Sequence, residues 1–156
     1  MLISGYDASG MAAGGTVYLV LGSPAPASDT LDHADAKWSG DGWQERFGFS
    51  SAGIGDVDGD GYADLLIGAP GYDNSNDYED FYARGGAFLV SGSAVPASGV
   101  LTADGAPFIG PSECSYAGIS VAGPGDVDGD GVPDLLIGAS PDCEDYQWWE
   151  AYLVLR

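Results

Sequence analysis

An all-β fold is what this 156-residue sequence predicts, on three observations. Glycine and proline number 26 and nine, so turn formers punctuate the whole chain and leave no room for long helices. Between them lie short runs rich in Tyr, Val, Leu and Ile, residues that fit a pleated, half-buried strand. The third observation is a repeat: a shift of 70 positions lays Phe47 to Pro70 on Ala117 to Ser140, with 17 of 24 residues identical. A hydrophobic content of 45% is enough to build a core.

Within one period four short strands are expected, each bounded by Gly, Pro, Asn or Asp. The first runs from Phe47 to Ala52. The second, Asp64 to Gly68, contains the unbroken apolar run Leu65-Leu66-Ile67 of a strand buried on both faces. The third is Gly86 to Ser91, whose Phe88-Leu89-Val90-Ser91 recurs as Tyr18-Leu19-Val20-Leu21 and as Tyr152-Leu153-Val154-Leu155. The fourth lies near Pro107 to Gly110. Leu2-Ile3 echoes Leu66-Ile67, and the shift also places Ser23 to Ser28 on Ser93 to Ser98 and Gly22 on Gly92.

Four strands recurring at a fixed spacing define a propeller blade, a unit that buries its faces only against neighbours. The expected architecture is therefore a partial β-propeller of four-stranded antiparallel blades of about 70 residues, two to three in number and incomplete at both ends. Residues 1–46 would hold the trailing strands of one blade, 47–115 a complete blade, and 116–156 the leading strands of a further one. A closed ring needs roughly 4 to 8 blades, so this length describes an arc with exposed edges, open to self-association through them.

Twenty-four acidic residues against four basic ones give a formal charge of −20. Such a surface repels phosphate backbones and anionic lipid, which excludes nucleic acid and anionic membrane surfaces as partners. It also strains a compact state unless cations neutralise part of the charge, although a saline habitat produces the same bias. No run approaches the ~20 apolar residues of a membrane span, and Met1 to Gly5 lacks the basic and apolar regions of a signal peptide.

The acid is concentrated where it has a use. Asp56-Val57-Asp58-Gly59-Asp60-Gly61-Tyr62-Ala63-Asp64 places carboxylates at positions 1, 3, 5 and 9 of a tight loop, and Asp126, Asp128, Asp130 and Asp134 repeat them. Calcium takes 6 to 8 oxygens at about 2.3–2.6 Å, a shell met by four carboxylates, the position-7 carbonyl of Tyr62 or Val132, and water. Two calcium ions are expected, one per loop. The alternative, an acidic turn that merely caps a hairpin, leaves crowded carboxylates repelling one another. An EF-hand is excluded, because its twelfth position requires a bidentate Glu and here holds Ile67 or Ile137.

Phe47-Gly48-Phe49-Ser50, the aspartate loop and Leu66-Ile67-Gly68-Ala69-Pro70 together resemble the FG-GAP repeat of integrin α-subunit propellers. In the second copy Ala117 stands for the Phe of the first signature and Ser140 for the Pro of the second. The resemblance implies an extracellular or cell-surface propeller segment, held together by calcium and serving adhesion or protein recognition. The same repeats suit a non-catalytic module of a secreted hydrolase, of the phospholipase kind, or a self-assembling structural unit. It also implies calcium loops between strands one and two on one face, and ligand contacts from the turns between strands two and three on the other. Those turns run from Gly71 to Arg84 and from Pro141 to Trp149. Their aromatics, Tyr72, Tyr78, Phe81, Tyr82, Tyr146, Trp148 and Trp149, either form a recognition surface or pack between blades.

Trp38 and Phe108, equivalent under the shift, are expected to be packing residues. Cys114 precedes the first strand of the last blade and Cys143 follows its second, so an antiparallel hairpin would bring them close, either as a disulfide or as buried thiols. A bond would fit an extracellular or periplasmic setting. The single histidine, His33, reads as a surface residue, and no nucleophile stands beside a base, so the chain is not expected to be an enzyme.

Overall fold

Alternation along the apolar runs decides which way each strand faces, and turn residues decide where it stops. The computed structural model describes residues 2–5, 14–22, 30–40, 45–72, 83–94, 97–101, 107–140 and 149–156. In chain order its strands are β1 (Leu2–Gly5), β2 (Thr16–Leu19), β3 (Ala36–Gly40), β4 (Ser50–Gly55), β5 (Asp64–Ala69), β6 (Gly86–Val90), β7 (Gly99–Leu101), β8 (Phe108–Ile109), β9 (Ser120–Gly125), β10 (Asp134–Ala139) and β11 (Glu150–Val154). One 3-10 turn, Leu31–His33, precedes β3. The strands form three sheets, ordered β1-β2-β3-β7, β4-β5-β6-β8 and β11-β10-β9, the all-β arrangement of propeller blades.

The middle sheet is antiparallel throughout and contains the four strands read from one period of the repeat. Its first strand starts at Ser50 rather than Phe47. Arg46 and Gly48 take positive φ of 53° and 80°, which turns the chain before the ladder begins. The turn is closed by hydrogen bonds from Gly48 N–H to the Gly68 carbonyl and from Phe49 N–H to the Arg46 carbonyl.

A second departure is β7. Gly99–Leu101, between β6 and β8 and outside the four strands of the period, runs parallel to β3 and becomes the fourth strand of the first sheet. Ser98 Oγ accepts the Lys37 N–H at 3.0 Å beside this pairing. One blade thus lends an edge strand to its neighbour, which covers the unpaired side of β3.

The middle sheet is buried on both faces because its side chains alternate. Ile67, Ala69 and Phe88 point to one side and join Val17, Trp38 and Phe47 of the first core. Leu66 and Ala87 point to the other and join Ile54, Leu135, Ile137 and Ala139 in a second core against the third sheet. Trp38 is 5% exposed, as expected of a packing residue, and its counterpart Phe108 is partly buried. Among the described residues the outer face of the third sheet has no such cover: Leu136 pairs with Leu153 there, and Leu153 and Leu155 are exposed.

The motif glycines explain how closely the sheets approach. A Cβ on Gly68 would lie 2.1 Å from the Gly118 carbonyl oxygen, and one on Gly118 would lie 2.1 Å from that of Gly86. Ser50 Oγ donates to the Gly118 carbonyl at 2.8 Å in the same contact. The glycine that ends one repeat therefore touches the glycine that begins the next, backbone against backbone.

Candidate metal centres

Each aspartate loop closes a hairpin, 56–63 between β4 and β5 and 126–133 between β9 and β10. The first aspartate organises it. Asp56 Oδ1 accepts N–H bonds from Gly59 at 2.7 Å and Asp60 at 3.1 Å, while its Oδ2 accepts Gly61 N–H at 2.8 Å. Asp58 Oδ1 accepts the Asp60 N–H at 3.1 Å, and Asp60 Oδ1 accepts the Tyr62 N–H at 2.8 Å. The second loop repeats all five: Asp126 accepts Gly129, Asp130 and Gly131 at 2.7, 3.1 and 2.8 Å, Asp128 accepts Asp130 at 3.2 Å, and Asp130 accepts Val132 at 2.8 Å.

This winding requires left-handed backbone at two positions per loop. Gly59 and Gly61 have φ of 79° and 91°, and Gly129 and Gly131 have 82° and 96°. No atom lies within 4 Å of a Cβ built on any of them, so conformation rather than space selects glycine. Gly59→Ala should therefore cost about 1–2 kcal/mol, the penalty of a side chain in that region, without disturbing its neighbours. Chemical denaturation of the variant in chelator measures it apart from any metal.

The result is a cluster of oxygens. Asp56, Asp58 and Asp60 offer carboxylate oxygens that all lie within 4.8 Å of one another, and Asp126, Asp128 and Asp130 do the same. Three anions at that spacing repel by about 1 kcal/mol per pair even at the dielectric constant of water. Asp58 and Asp60 each use only Oδ1 for the backbone bonds within the loop, which leaves Oδ2 for a ligand. A hard, all-oxygen donor set on an open loop fits calcium better than a transition metal. Tyr62 and Val132 stand at the seventh position, their N–H groups tied to the preceding carboxylate.

Asp64 and Asp134, expected as fourth carboxylates, occupy a different environment. Both are fully buried. Asp64 Oδ2 accepts the Val57 N–H at 2.7 Å, and Oδ1 accepts the Gly92 N–H, also at 2.7 Å, from the segment after β6. Asp134 Oδ2 likewise accepts Val127 N–H at 2.7 Å, and Oδ1 accepts Arg156 N–H at 3.2 Å after β11. Each carboxylate pins its loop to the end of the third strand, a role that loop spacing does not disclose. The recurrence of Gly22 as Gly92 was the available signal, because a Cβ on Gly92 would lie 2.4 Å from the Ala63 carbonyl oxygen.

The turns expected to meet a ligand fall largely outside the described residues, including Tyr78, Phe81, Tyr82, Tyr146 and Trp148. Tyr72 is described and is a core residue instead: it is 2% exposed, with its ring edge-on to Phe88 at 5.3 Å. Its place directly after β5 carries it into the first core. Arg84 binds the carbonyls of Gly110 and Pro111, each at 3.0 Å. Trp149, immediately before the last strand, is 75% exposed. His33 is exposed, and Cys114 is buried with no free thiol, whereas Cys143 lies outside the described residues.

Two segments, 47–87 and 117–145, match the family profile of the FG-GAP repeat. Among curated proteins, integrin alpha pat-2 of Caenorhabditis elegans is 36% identical over 105 residues, covering 64% of this chain and 8% of that protein. Integrin alpha-5 of Xenopus laevis is 36% identical over 98 residues, covering 60% of the chain and 8% of its own length. Integrin alpha-PS5 of Drosophila melanogaster is 33% identical over 116 residues, or 71% of the chain and 10% of its length. The chain thus spans about a tenth or less of the curated relatives it matches.

Proposed function

We propose, from the premise that this chain carries FG-GAP repeats of the kind found in integrin α subunits, that it is a calcium-stabilised propeller segment of an extracellular or cell-surface adhesion or recognition protein. The observation that carries this reading is the twofold cluster of three carboxylates, built with the same backbone bonds in both loops. Each cluster takes one calcium ion through Asp56, Asp58 and Asp60 or through Asp126, Asp128 and Asp130. The carbonyl of Tyr62 or Val132, and the carboxylate of Asp64 or Asp134 through a second lone pair on an oxygen that already accepts a backbone N–H, complete the protein's share of the shell. The ion is structural and carries no reaction.

Residues 1–46, 47–115 and 116–156 then correspond to successive blades. The exposed leucines on the outer face of the third sheet support a further repeat there, since burying a leucine side chain contributes about 1.5–3 kcal/mol. Exposed Trp149 supports a protein ligand on the turn that precedes β11. Cys114 pairs with Cys143, the only other cysteine of the sequence, which staples that same turn to the start of β9 and suits an oxidising compartment.

Calorimetric titration with calcium tests the reading. Two ions should bind per chain, with dissociation constants of roughly 0.1–1 mM if the loops behave as extracellular modules do. The double substitution Asp58→Ala with Asp60→Ala should leave one. No binding at 10-fold higher calcium would remove the proposal.

A further inference from the structure

The two cores are built from equivalent positions of the repeat, yet they are not equally filled. Between the first and middle sheets, Trp38, Phe47, Ile67, Phe88 and Val90 pack together. Their counterparts, by the 70-residue shift and the recurring third strand, are Phe108, Ala117, Ile137, Tyr152 and Val154. All five of these line one cavity of about 270 Å3 between the middle and third sheets.

The larger of two reasons is a missing ring. Phe47 is fully buried, edge-on to Phe88 at 5.6 Å. The backbone around Ala117 repeats that around Phe47: Gly118 N–H reaches the Gly138 carbonyl at 3.0 Å, as Gly48 N–H reaches that of Gly68 at 2.9 Å. Ala117 itself is 3% exposed, so it sits at the wall where the phenylalanine would stand but ends at Cβ. Trp38 shrinks to Phe108 across the same space.

We propose that this cavity binds a small neutral aromatic molecule, with one or two fused rings, in the place that Phe47 fills in the preceding core. The walls are aliphatic and aromatic, and Phe108 and Tyr152 offer the edge and face contacts that aromatic pairs favour. Of the polar groups at hand, the Arg156 guanidinium stacks on the Phe108 ring, 5.6 Å from its centroid, and the Tyr152 hydroxyl donates to Glu150 Oε2, so both already have partners. That bond, followed by burial and the repulsion of the Glu150 charge, raises the Tyr152 phenol from 10.0 to about 12, which keeps it neutral at any physiological pH. An anion is disfavoured by a chain of net charge −20. Apolar cavities of about 150 Å3 stay dry and take up benzene, so the volume here suffices for a larger ring system. Ile109, 36% exposed, and exposed Pro111 border the cavity and give a way in from solvent.

Indole is the probe, added to the full chain and followed by saturation-transfer NMR and by the melting temperature. The expected result is saturable binding with a rise in melting temperature, weakened at least tenfold in Ala117→Phe, whose own side chain occupies the site. Ala117→Leu, a smaller filling, should weaken binding to an intermediate degree and serves if the phenylalanine variant does not fold. Absence of indole binding overturns the proposal, as does affinity that is unchanged in whichever filled variant folds. Because neither readout requires calcium, failure here is separate from failure of the metal reading.

Discussion

Chelation should lower the melting temperature of this protein by roughly 10–20 °C, and calcium should restore it. A ligand held only by the folded state stabilises it by about 2.7 kcal/mol at a hundredfold excess over its dissociation constant, and two loops give roughly 5 kcal/mol. In a chain of this size each kcal/mol moves the midpoint by about 2–4 °C. The chemistry behind the number is local. Asp56, Asp58 and Asp60 crowd within 4.8 Å, held there by a backbone that donates N–H bonds to Asp56 from three residues. Without a cation those bonds hold the carboxylates against mutual repulsion; with one, the repulsion becomes ligation.

General screening of the −20 charge makes a competing account of any cation effect, and it predicts something different. Sodium chloride at matched ionic strength would then restore the melting temperature as well as calcium does, since screening depends on ionic strength and not on ligand geometry. Restoration by roughly 10–100 mM calcium, a hundredfold over the expected dissociation constants, but not by sodium chloride of equal ionic strength, separates ligation from screening. A midpoint indifferent to chelator would remove structural calcium altogether.

Much of this architecture is written locally and is therefore legible in the sequence. Leu65-Leu66-Ile67 reads as a strand buried on both faces because nothing polar interrupts it, and in the fold Leu66 and Ile67 belong to opposite cores. The aspartate loops are equally plain, since alternate carboxylates and left-handed glycines are properties of nine consecutive residues. What escapes notice depends on distant partners. Gly99–Leu101 is three residues long with no alternation to mark it, and only the edge of β3 makes it a strand. Tyr72 has the composition of an exposed binding turn but lies two residues past Pro70, close enough to β5 to fold back onto Phe88. The replacement of Phe47 by Ala117 is visible as a letter, but its consequence, a cavity, needs the facing wall of Phe108 and Tyr152.

Asp64 is where local pattern and long-range structure meet, and its replacement should be the most damaging single change in either loop. In metal-free buffer Asp64→Ala should destabilise the chain by about 4 kcal/mol, because two backbone donors, Val57 N–H and Gly92 N–H, lose a fully buried acceptor at 2.7 Å and each unsatisfied group costs about 1–3 kcal/mol. Asp64→Asn keeps one acceptor oxygen and presents an amide N–H to the other donor, so it should recover less than half of the loss. Asp134→Ala should cost less, about 2 kcal/mol, since one of its partners is the N–H of exposed Arg156 at 3.2 Å, which water can serve. Asp58→Ala, by contrast, removes an exposed carboxylate and should be nearly neutral in chelator while weakening the response to calcium. Urea unfolding of the four variants, each with and without calcium, distinguishes the roles. A buried clamp predicts that the Asp64→Ala penalty persists in chelator; a residue acting only as a metal ligand predicts that it vanishes there.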